Sequence, residues 1–367
     1  MKSLLRTFIL SLSLLTVIPG KTQTVSAGID TTSIKGLTFF KADHPYLQYT
    51  GRIDFTNKSL PRFWQPGVYI QTKFSGTNCE ILINDEELWG NSHNYIQLII
   101  DNNTPIRIKT VSKINTIKID QLKNGIHSLT ICKGTEAGIG YIELVGLRCE
   151  AIHPTSERPL RKIEFIGNSI TSGMGSDLSL FPCGQGVWYD QHNAYQSYGP
   201  TTARTLQAEW QLSSVSGIGM IHSCCKMTVT MPQVFDKINM RENSVEWNFN
   251  NYQPDVVTVC LGQNDGIQDS TAFCNAYVDF IDRLRRYYPK ADIICLTSPM
   301  ADSALLVVMK KYLNSIVSYK NKKGDKKISS YFFSKIYNHG CGSHPDINEH
   351  QQIAKELTAF ISKLKNW

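Results

Sequence analysis

The stretch KIEFIGNSITSGMG, residues 162–175, decides the fold of the C-terminal half of this chain. Its first residues form the apolar pattern of a buried β-strand, and the small polar residues that follow predict a turn into a helix. This order places the hydroxyl group of Ser169 at the carboxyl end of a strand, where open α/β sheets keep their active sites. The backbone N–H groups at a helix start also favour negative charge. The alternative for Ser169 is a structural role as the cap of that helix.

The remainder of this half alternates between short apolar runs and amphipathic stretches. The pattern predicts buried strands at residues 163–166, 211–215, 256–261, 293–297 and 328–333. It predicts helices at residues 201–209, 271–288, 304–319 and 347–364. Because strand–helix alternation is typical of parallel sheets, we expect a parallel five-stranded sheet covered by helices on both faces, a flavodoxin-like α/β/α arrangement.

The N-terminal half has a different period. Residues 34–150 contain short stretches of alternating apolar and polar residues, separated by turn sequences, with no convincing helix. Closely spaced short strands of this kind predict an all-β antiparallel sandwich of the jelly-roll type. We therefore predict a sandwich domain at residues 28–153, a polar and proline-rich linker at 154–161, and an α/β domain at 162–367.

The N-terminus has the features of an export signal. Lys2 and Arg6 precede the apolar run at residues 8–18, which is too short to anchor the chain stably in a membrane. The small residues that end at Ala27 have the spacing of a cleavage site. We predict that residues 1–27 are a cleavable signal peptide and that the mature protein is secreted or periplasmic, with no membrane attachment.

The charge of the chain indicates no particular macromolecular partner. The formal net charge is +7 over 367 residues, and three of the basic residues lie in the predicted signal peptide, which leaves about +4 on the mature chain. The lysine-rich run at residues 320–327 is typical of a solvated loop after a helix. We expect no nucleic-acid partner, and the sequence leaves the oligomeric state open.

The ten cysteines are even in number and can pair outside the cytoplasm, although the sequence does not assign the pairs. Cys260 and Cys295 lie in apolar strand patterns and are predicted to be buried small hydrophobic residues. There is no CxxC pair, and the adjacent Cys224 and Cys225 do not have the spacing of zinc ligands. We therefore expect no metal ion and no cofactor.

Two further segments follow predicted strands and are placed to complete a site with Ser169. Gly217 comes after the strand at 211–215, and a glycine there lets its N–H approach a substrate oxygen closely. Asn264 comes after the strand at 256–261 and offers a side-chain amide. We predict an oxyanion hole formed by the N–H groups of Ser169 and Gly217 and the Asn264 side chain. The alternative for Gly217 and Asn264 is an ordinary role in a turn.

A histidine near the C-terminus is the candidate general base. His344 precedes Pro345, which restricts its backbone, and lies in the loop before the last predicted helix. An imidazole at this place can take the proton of the Ser169 hydroxyl group. His339 is a weaker candidate in the same loop, and His350, inside the helix, indicates packing or a structural hydrogen bond.

These residues resemble the SGNH (GDSL-like) hydrolases, whose four sequence blocks supply a serine, a glycine, an asparagine and a histidine. Segments 51–55, 61–67 and 133–137 resemble the sandwich domain of carbohydrate esterase family 2, and segments 197–199 and 340–345 also resemble that family. The resemblance covers nearly the whole mature chain in order. It implies a jelly-roll domain joined to an SGNH domain, and metal-free removal of acetyl esters from plant polysaccharides such as xylan and glucomannan. Members commonly favour the 6-hydroxyl group of hexose units.

The chain departs from this family at two positions. Asn168 stands where the family has an aspartate before the serine, and the amide is isosteric with the acid. Gly342 stands where members often carry an aspartate two residues before the histidine. The resemblance therefore implies a dyad of Ser169 and His344, with a backbone carbonyl group orienting the imidazole. The carboxylate of Asp346 is the alternative partner for the imidazole.

Two other functions remain as alternatives. The first is a non-catalytic carbohydrate-binding protein built on an esterase frame, in which Trp64, Trp89 or Trp188 stacks on sugar rings unless these tryptophans are packed in the core. The second is an esterase for acetylated sialic acids or host glycans. The insertion at residues 177–193, which includes Cys183, Trp188 and Tyr189, is expected to distinguish among sugar substrates.

Overall fold

The structure, a computed structural model, describes residues 23–28 and 36–367. The strands are β1 (Thr24–Gly28), β2 (Thr38–Lys41), β3 (Gln48–Thr50), β4 (Arg62–Phe63), β5 (Tyr69–Ser75), β6 (Cys79–Asp85), β7 (Tyr95–Ile100), β8 (Ile106–Lys109), β9 (Ile114–Asp120), β10 (Ile126–Lys133), β11 (Ile142–Cys149), β12 (Ala151–His153), β13 (Arg161–Gly167), β14 (Ala208–Ser214), β15 (Lys237–Asn239), β16 (Ser244–Glu246), β17 (Val256–Cys260), β18 (Asp292–Leu296) and β19 (Ile328–Tyr331). The α-helices are α1 (Ser169–Ser172), α2 (Tyr198–Thr205), α3 (Met231–Val234), α4 (Ser270–Tyr287), α5 (Ser303–Lys322) and α6 (Ile347–Lys365).

The N-terminal half is a sandwich of two six-stranded antiparallel sheets, as predicted. One sheet has the order β1-β9-β6-β11-β2, with β4 beside β11, and the other has the order β12-β5-β10-β7-β8, with β3 beside β5. Alternate side chains of the facing strands are buried between the sheets, for example Ile81 and Ile83 of β6 against Ile70 of β5. The alternation of apolar and polar residues in the sequence therefore arises because each sheet has one buried face.

The C-terminal half contains a five-stranded parallel sheet in the order β14-β13-β17-β18-β19, which confirms the predicted α/β arrangement. Every residue of β17 is buried, because helices cover both faces of the sheet. The core on one face includes residues of α2 and α6, and the core on the other face includes residues of α4 and α5. The carboxyl ends of β13 and β17 therefore meet at one edge of the sheet.

One predicted helix is wrong at its C-terminal end. The helix predicted at residues 201–209 ends at Thr205, and Gln207 adopts a left-handed backbone conformation with φ of 53°. Strand β14 begins at Ala208, which pairs with Arg161 at the start of β13. The parallel pairing with β13 overrides the helical periodicity of these last residues.

The predicted signal peptide lies mostly outside the described residues. Only residues 23–27 of it are described, and Thr24–Gly28 forms strand β1, which pairs with β9 at the edge of the sandwich. Cleavage after Ala27 would remove most of this strand. Among the helices of the described ranges, none is long and apolar enough to cross a membrane.

The two halves are joined by buried polar contacts close to β13. The guanidinium group of Arg52, in the sandwich, donates to the carboxylate of Glu164 at 3.0 Å, and both side chains are fully buried. The indole N–H of Trp210 donates to the carbonyl oxygen of Gly67 at 2.9 Å. Since Glu164 lies in β13, the strand that leads to Ser169 is braced against the sandwich.

Candidate active site

Ser169 lies just after β13, an interior strand of the parallel sheet. Asn168 caps helix α1, because its side-chain oxygen accepts the N–H of Ile170 at 3.1 Å, so the alternative in which Ser169 is the cap is wrong. Helix α1 has only four residues and ends at Gly173 in a left-handed conformation. The Ser169 hydroxyl group therefore does not cap the helix. It lies where the carboxyl ends of the parallel strands meet.

His344 is the hydrogen-bond partner of this hydroxyl group. Nε2 of His344 lies 2.8 Å from Oγ of Ser169, and Nδ1 lies 3.0 Å from the carbonyl oxygen of Gly342. A proton on Nδ1 donates to that carbonyl oxygen and leaves Nε2 free to accept from the serine. Burial lowers the pKa of His344 below its ordinary value, although hydrogen bonds to the backbone at Gly342 and Cys341 act in the opposite direction. The neutral imidazole, which can accept a proton, is therefore the favoured form near neutral pH.

A tight turn brings the Gly342 carbonyl group to the ring of His344. Gly342 adopts φ of 62°, in the left-handed region that glycine tolerates best. The N–H of Gly340 donates to the carbonyl oxygen of His344 at 2.6 Å, and the N–H of Cys341 donates to that of Gly175 at 2.8 Å. These bonds fix the backbone on both sides of the carbonyl group.

A disulfide bond reinforces the same turn. Cys341 is joined to Cys183, which lies 158 residues earlier in the insertion at residues 177–193. A second disulfide bond joins the adjacent Cys224 and Cys225. The even cysteine count was the only signal for disulfide bonds in the sequence, and it did not assign these pairs.

The carboxylate of Asp346 caps the last helix, α6, and does not contact the imidazole of His344. It accepts the N–H of Glu349 at 2.7 Å and caps α6, so Asp346 does not orient His344. A Cβ atom built at Gly342 would lie 3.6 Å from Nδ1 of His344. The position where the family often carries an aspartate is therefore close to the imidazole, and in this chain the carbonyl oxygen of Gly342 lies 3.0 Å from Nδ1.

The two other candidate histidines contact different groups. His339 has a side chain that is 76% exposed, and its Nδ1 pairs with the carboxylate of Glu349. His350 is fully buried, its Nδ1 accepts the N–H of Tyr198 at 3.2 Å, and burial lowers its pKa to about 3. His350 therefore has the structural role that its position predicted.

Gly217 and Asn264 lie in the same cleft as Ser169 and His344. The cleft has a volume of about 750 Å³, and its wall also includes Met174, Trp188, Met227 and Met300. The four blocks that are separated in the sequence thus meet in one cleft, on the side of the sheet where β13 and β17 end.

The backbone at Gly217 requires a glycine. Its φ is 83°, and a Cβ atom there would lie 3.0 Å from the sulfur atoms of Cys224 and Met227. Within the described part of the chain, no hydrogen-bond acceptor is recorded for the N–H of Gly217 or of Ser169. Both groups are therefore available to a substrate oxygen.

The side chain of Asn264 is oriented by a backbone contact. Its amide nitrogen donates to the carbonyl oxygen of Ile218 at 2.8 Å, which occupies one of the two N–H bonds of the amide. The second N–H bond remains for a ligand in the cleft. The arrangement offers three donors to a developing negative charge beside the Ser169 hydroxyl group.

The tryptophans and cysteines singled out in the sequence differ in how deeply they are buried. Trp64 is 4% exposed and packed in the core, Trp89 is 83% exposed, and Trp188 is half-exposed in the wall of the cleft. Cys260 and Cys295 are buried and unpaired, as predicted. In the described ranges, no three His, Cys, Asp or Glu side chains are grouped as metal ligands.

Comparison with known proteins places the chain in a family. Residues 49–159 match the family model described as carbohydrate esterase 2 N-terminal, and residues 165–323 match the GDSL-like lipase/acylhydrolase family. The cellulase/esterase CelE of Acetivibrio thermocellus is 31% identical over 336 residues, which are 89% of this chain but only 40% of that longer protein. An acetylxylan esterase / glucomannan deacetylase of Cellvibrio japonicus is 28% identical, with 89% of this chain and 91% of that protein covered.

A solved structure extends the comparison to the whole fold. The family two carbohydrate esterase from Clostridium thermocellum, in complex with cellohexaose, is 30% identical to this chain with a TM-score of 0.81. The match covers 88% of this chain and 99% of the Clostridium thermocellum chain. Both domains and their order are therefore shared with that enzyme. The chain belongs to carbohydrate esterase family 2 and is a carboxylic ester hydrolase.

Proposed function

We propose that this chain is an exported O-acetyl esterase that removes acetyl groups from plant polysaccharides such as xylan and glucomannan, with 6-O-acetyl hexose units among its targets. The observation that carries the proposal is the distance of 2.8 Å between Oγ of Ser169 and Nε2 of His344, in a cleft that also contains Gly217 and Asn264. The relative named acetylxylan esterase / glucomannan deacetylase supports the substrate class.

The proposed reaction proceeds through an acetyl-enzyme. Oγ of Ser169 attacks the acetyl carbonyl carbon while Nε2 of His344 takes the hydroxyl proton. The N–H groups of Ser169 and Gly217 and the amide of Asn264 stabilise the negative oxygen of the tetrahedral intermediate. His344 then protonates the departing sugar oxygen. A water molecule attacks the acetyl-enzyme in the same way, which releases acetate and restores the serine.

The imidazole works in this mechanism without a carboxylate. The Gly342 carbonyl oxygen accepts the Nδ1 proton, which holds the ring in the tautomer that presents Nε2 to Ser169. A carbonyl group is a weaker partner for an imidazolium ion than a carboxylate, because it carries only a partial charge. The hydrogen bond therefore supplies orientation more than charge stabilisation.

Export is proposed from the N-terminal sequence pattern, which lies mainly outside the described residues. The disulfide bond between Cys183 and Cys341 agrees with a protein that acts in an oxidising compartment. After cleavage of the signal peptide, the proposed partners are acetylated polysaccharides or oligosaccharides.

The test is acetate release by the purified chain and by Ser169→Ala, from 4-nitrophenyl acetate and from acetylated xylan and glucomannan, in the presence of EDTA. We expect the variant to lose at least about 1000-fold in rate with an unchanged melting temperature. A variant that keeps more than about a tenth of the rate contradicts the role of Ser169. Binding of glycans with no acetate release would identify the chain as a carbohydrate-binding protein instead.

A further inference from the structure

The side chain of Glu136, from the sandwich domain, contributes a carboxylate to the wall of the cleft. Glu136 lies just after strand β10, and its Oε2 accepts the backbone N–H of Ser216 at 2.7 Å, across 80 residues of sequence. The residue is only 2% exposed and forms part of the cleft wall beside Ser169. A buried carboxylate that accepts a backbone N–H forms a strong, directional hydrogen bond.

The hydrogen bond from the Ser216 N–H to Glu136 helps to fix the orientation of the neighbouring Gly217 N–H. The peptide group before Ser216 is held by Glu136, and the peptide group after Gly217 is held by the N–H of Cys224, which donates to the Gly217 carbonyl oxygen at 2.8 Å. The N–H of Gly217 belongs to the peptide group between these two. Since both neighbouring peptide groups are fixed, the direction of the Gly217 N–H is fixed as well.

The backbone around Glu136 is itself held in place by side chains of both domains. The ammonium group of the buried Lys133 donates to the carbonyl oxygens of Thr135 at 2.8 Å and of Glu136 at 3.1 Å. The hydroxyl group of Thr135 donates to the side chain of Asn94 at 2.6 Å. The guanidinium group of Arg241 donates to the carbonyl oxygen that follows Glu136 in the chain, at 3.1 Å. The carboxylate therefore projects from a backbone segment that is hydrogen-bonded at successive residues.

We propose that Glu136 is a positioning residue for ester hydrolysis: it fixes Ser216 so that the N–H of Gly217 points at the substrate oxyanion. This inference rests on the proposed function of Ser169 and of the oxyanion hole. It assigns the sandwich domain an indirect part in transition-state stabilisation, through Ser216 and Gly217, independent of which sugar carries the acetyl group. A glutamine at this position also offers an acceptor oxygen to Ser216, and burial raises the pKa of Glu136, so the site tolerates the neutral form.

The experiment compares Glu136→Ala, Glu136→Gln and the control Glu143→Ala, with Ser169→Ala measured in parallel. Glu143 is a buried carboxylate of the same sandwich, bonded to Arg62 and Asn84, outside the cleft wall. For Glu136→Ala we expect kcat to fall about 10- to 100-fold with little change in KM, on 4-nitrophenyl acetate and on acetylated xylan alike. For Glu136→Gln and Glu143→Ala we expect kcat within about threefold of the parent.

Four results would overturn the inference. A Glu136→Ala variant with the parent kcat shows that the contact is not needed, and a loss confined to acetylated xylan shows that Glu136 binds sugar instead. A Glu136→Gln variant as impaired as Glu136→Ala shows that the charge matters and not the acceptor, and an equal loss in Glu143→Ala shows a general packing effect. If Glu136→Ala does not fold, Glu136→Asp withdraws the acceptor from Ser216 and is judged by the same expectations. Activity retained by Ser169→Ala would instead contradict the proposed function.

Discussion

Two loops line the candidate active site, and they are held mainly by different groups. The histidine loop, residues 340–346, is held mainly by backbone groups and a disulfide bond to a distant residue, whereas the glycine loop, residues 215–229, has four of its backbone N–H groups bonded to two buried carboxylates. In the histidine loop, Nδ1–H of His344 donates to the carbonyl oxygen of Gly342, and the N–H of Cys341 donates to the carbonyl oxygen of Gly175. All of these contacts lie within the α/β domain.

In the glycine loop, two carboxylates accept four backbone N–H groups. Glu136 of the sandwich accepts the N–H of Ser216, and Asp265 accepts the N–H groups of residues 220–222. Carboxylates therefore lie near the site, but they hold the loop that carries the oxyanion donor and not the imidazole. The group that contacts Nδ1 of His344 is the carbonyl oxygen of Gly342, at 3.0 Å, which agrees with the proposed dyad of Ser169 and His344.

The largest effect is expected from removing the imidazole of the histidine loop. His344→Ala should lower kcat for 4-nitrophenyl acetate at least about 1000-fold, because it removes the imidazole nitrogen that lies 2.8 Å from Oγ of Ser169 and takes its proton. His339→Ala, a matched change in the neighbouring segment, should leave kcat within about threefold of the parent. A similar loss in both variants would mean that the loop, and not the imidazole, is what the reaction needs.

The pH dependence of kcat/KM distinguishes a carbonyl partner of the His344 imidazole from a carboxylate partner. Burial lowers the pKa of His344 below its ordinary value of 6.5, and only the neutral imidazole accepts a proton. We therefore expect kcat/KM to be level above about pH 7.5 and to fall as the pH drops, reaching about tenfold per unit well below a midpoint that lies under 6.5.

The variant Gly342→Asp provides the matched comparison for this profile. A carboxylate beside Nδ1 favours the charged imidazolium, so the midpoint of the acid limb should move to higher pH. Aspartate also tolerates the left-handed backbone better than most residues. A parent midpoint above 6.5, or a variant midpoint that does not move upward, would contradict the described environment of His344.

The smallest effect is expected from the disulfide bonds, one in each loop. Cys183 and Cys341 are 158 residues apart, whereas Cys224 and Cys225 are adjacent. Loss of the first bond, in Cys183→Ser with Cys341→Ser, should lower the free energy of unfolding by about 2 to 4 kcal/mol, because it releases a long closed loop. Loss of the second, in Cys224→Ser with Cys225→Ser, should cost less.

Thermal unfolding without reductant measures the stability of both double variants, and kcat shows whether each loop still supports catalysis. We expect the first pair to lower the melting temperature more, and to lower kcat a few-fold because the histidine loop loses its covalent tie to residues 177–193. A first double variant with the melting temperature of the parent would show that the long-range bond does not stabilise the fold.

Much of the fold was predictable because its signals are local. The alternating pattern of β5 and β6 and the continuous apolar run of β17 each follow from which faces of a strand are covered. The end of α2 was not predictable, because residues 208–209 fit a helical period and are taken into β14 by pairing with β13. Sequence reasoning also missed Glu136, since its acceptor role depends on a loop 80 residues away.

The sequence by itself determined the two domains, their order and the four blocks at the ends of strands, because periodicity and turn chemistry act over a few residues. Parallel strands then bring those blocks to one edge of the sheet. Only the tertiary structure decided that a carbonyl group orients His344, that Cys183 pairs with Cys341, and that Glu136 braces the glycine loop. Such contacts depend on atoms that are distant along the chain or on the exact shape of a turn, and no local pattern specifies either.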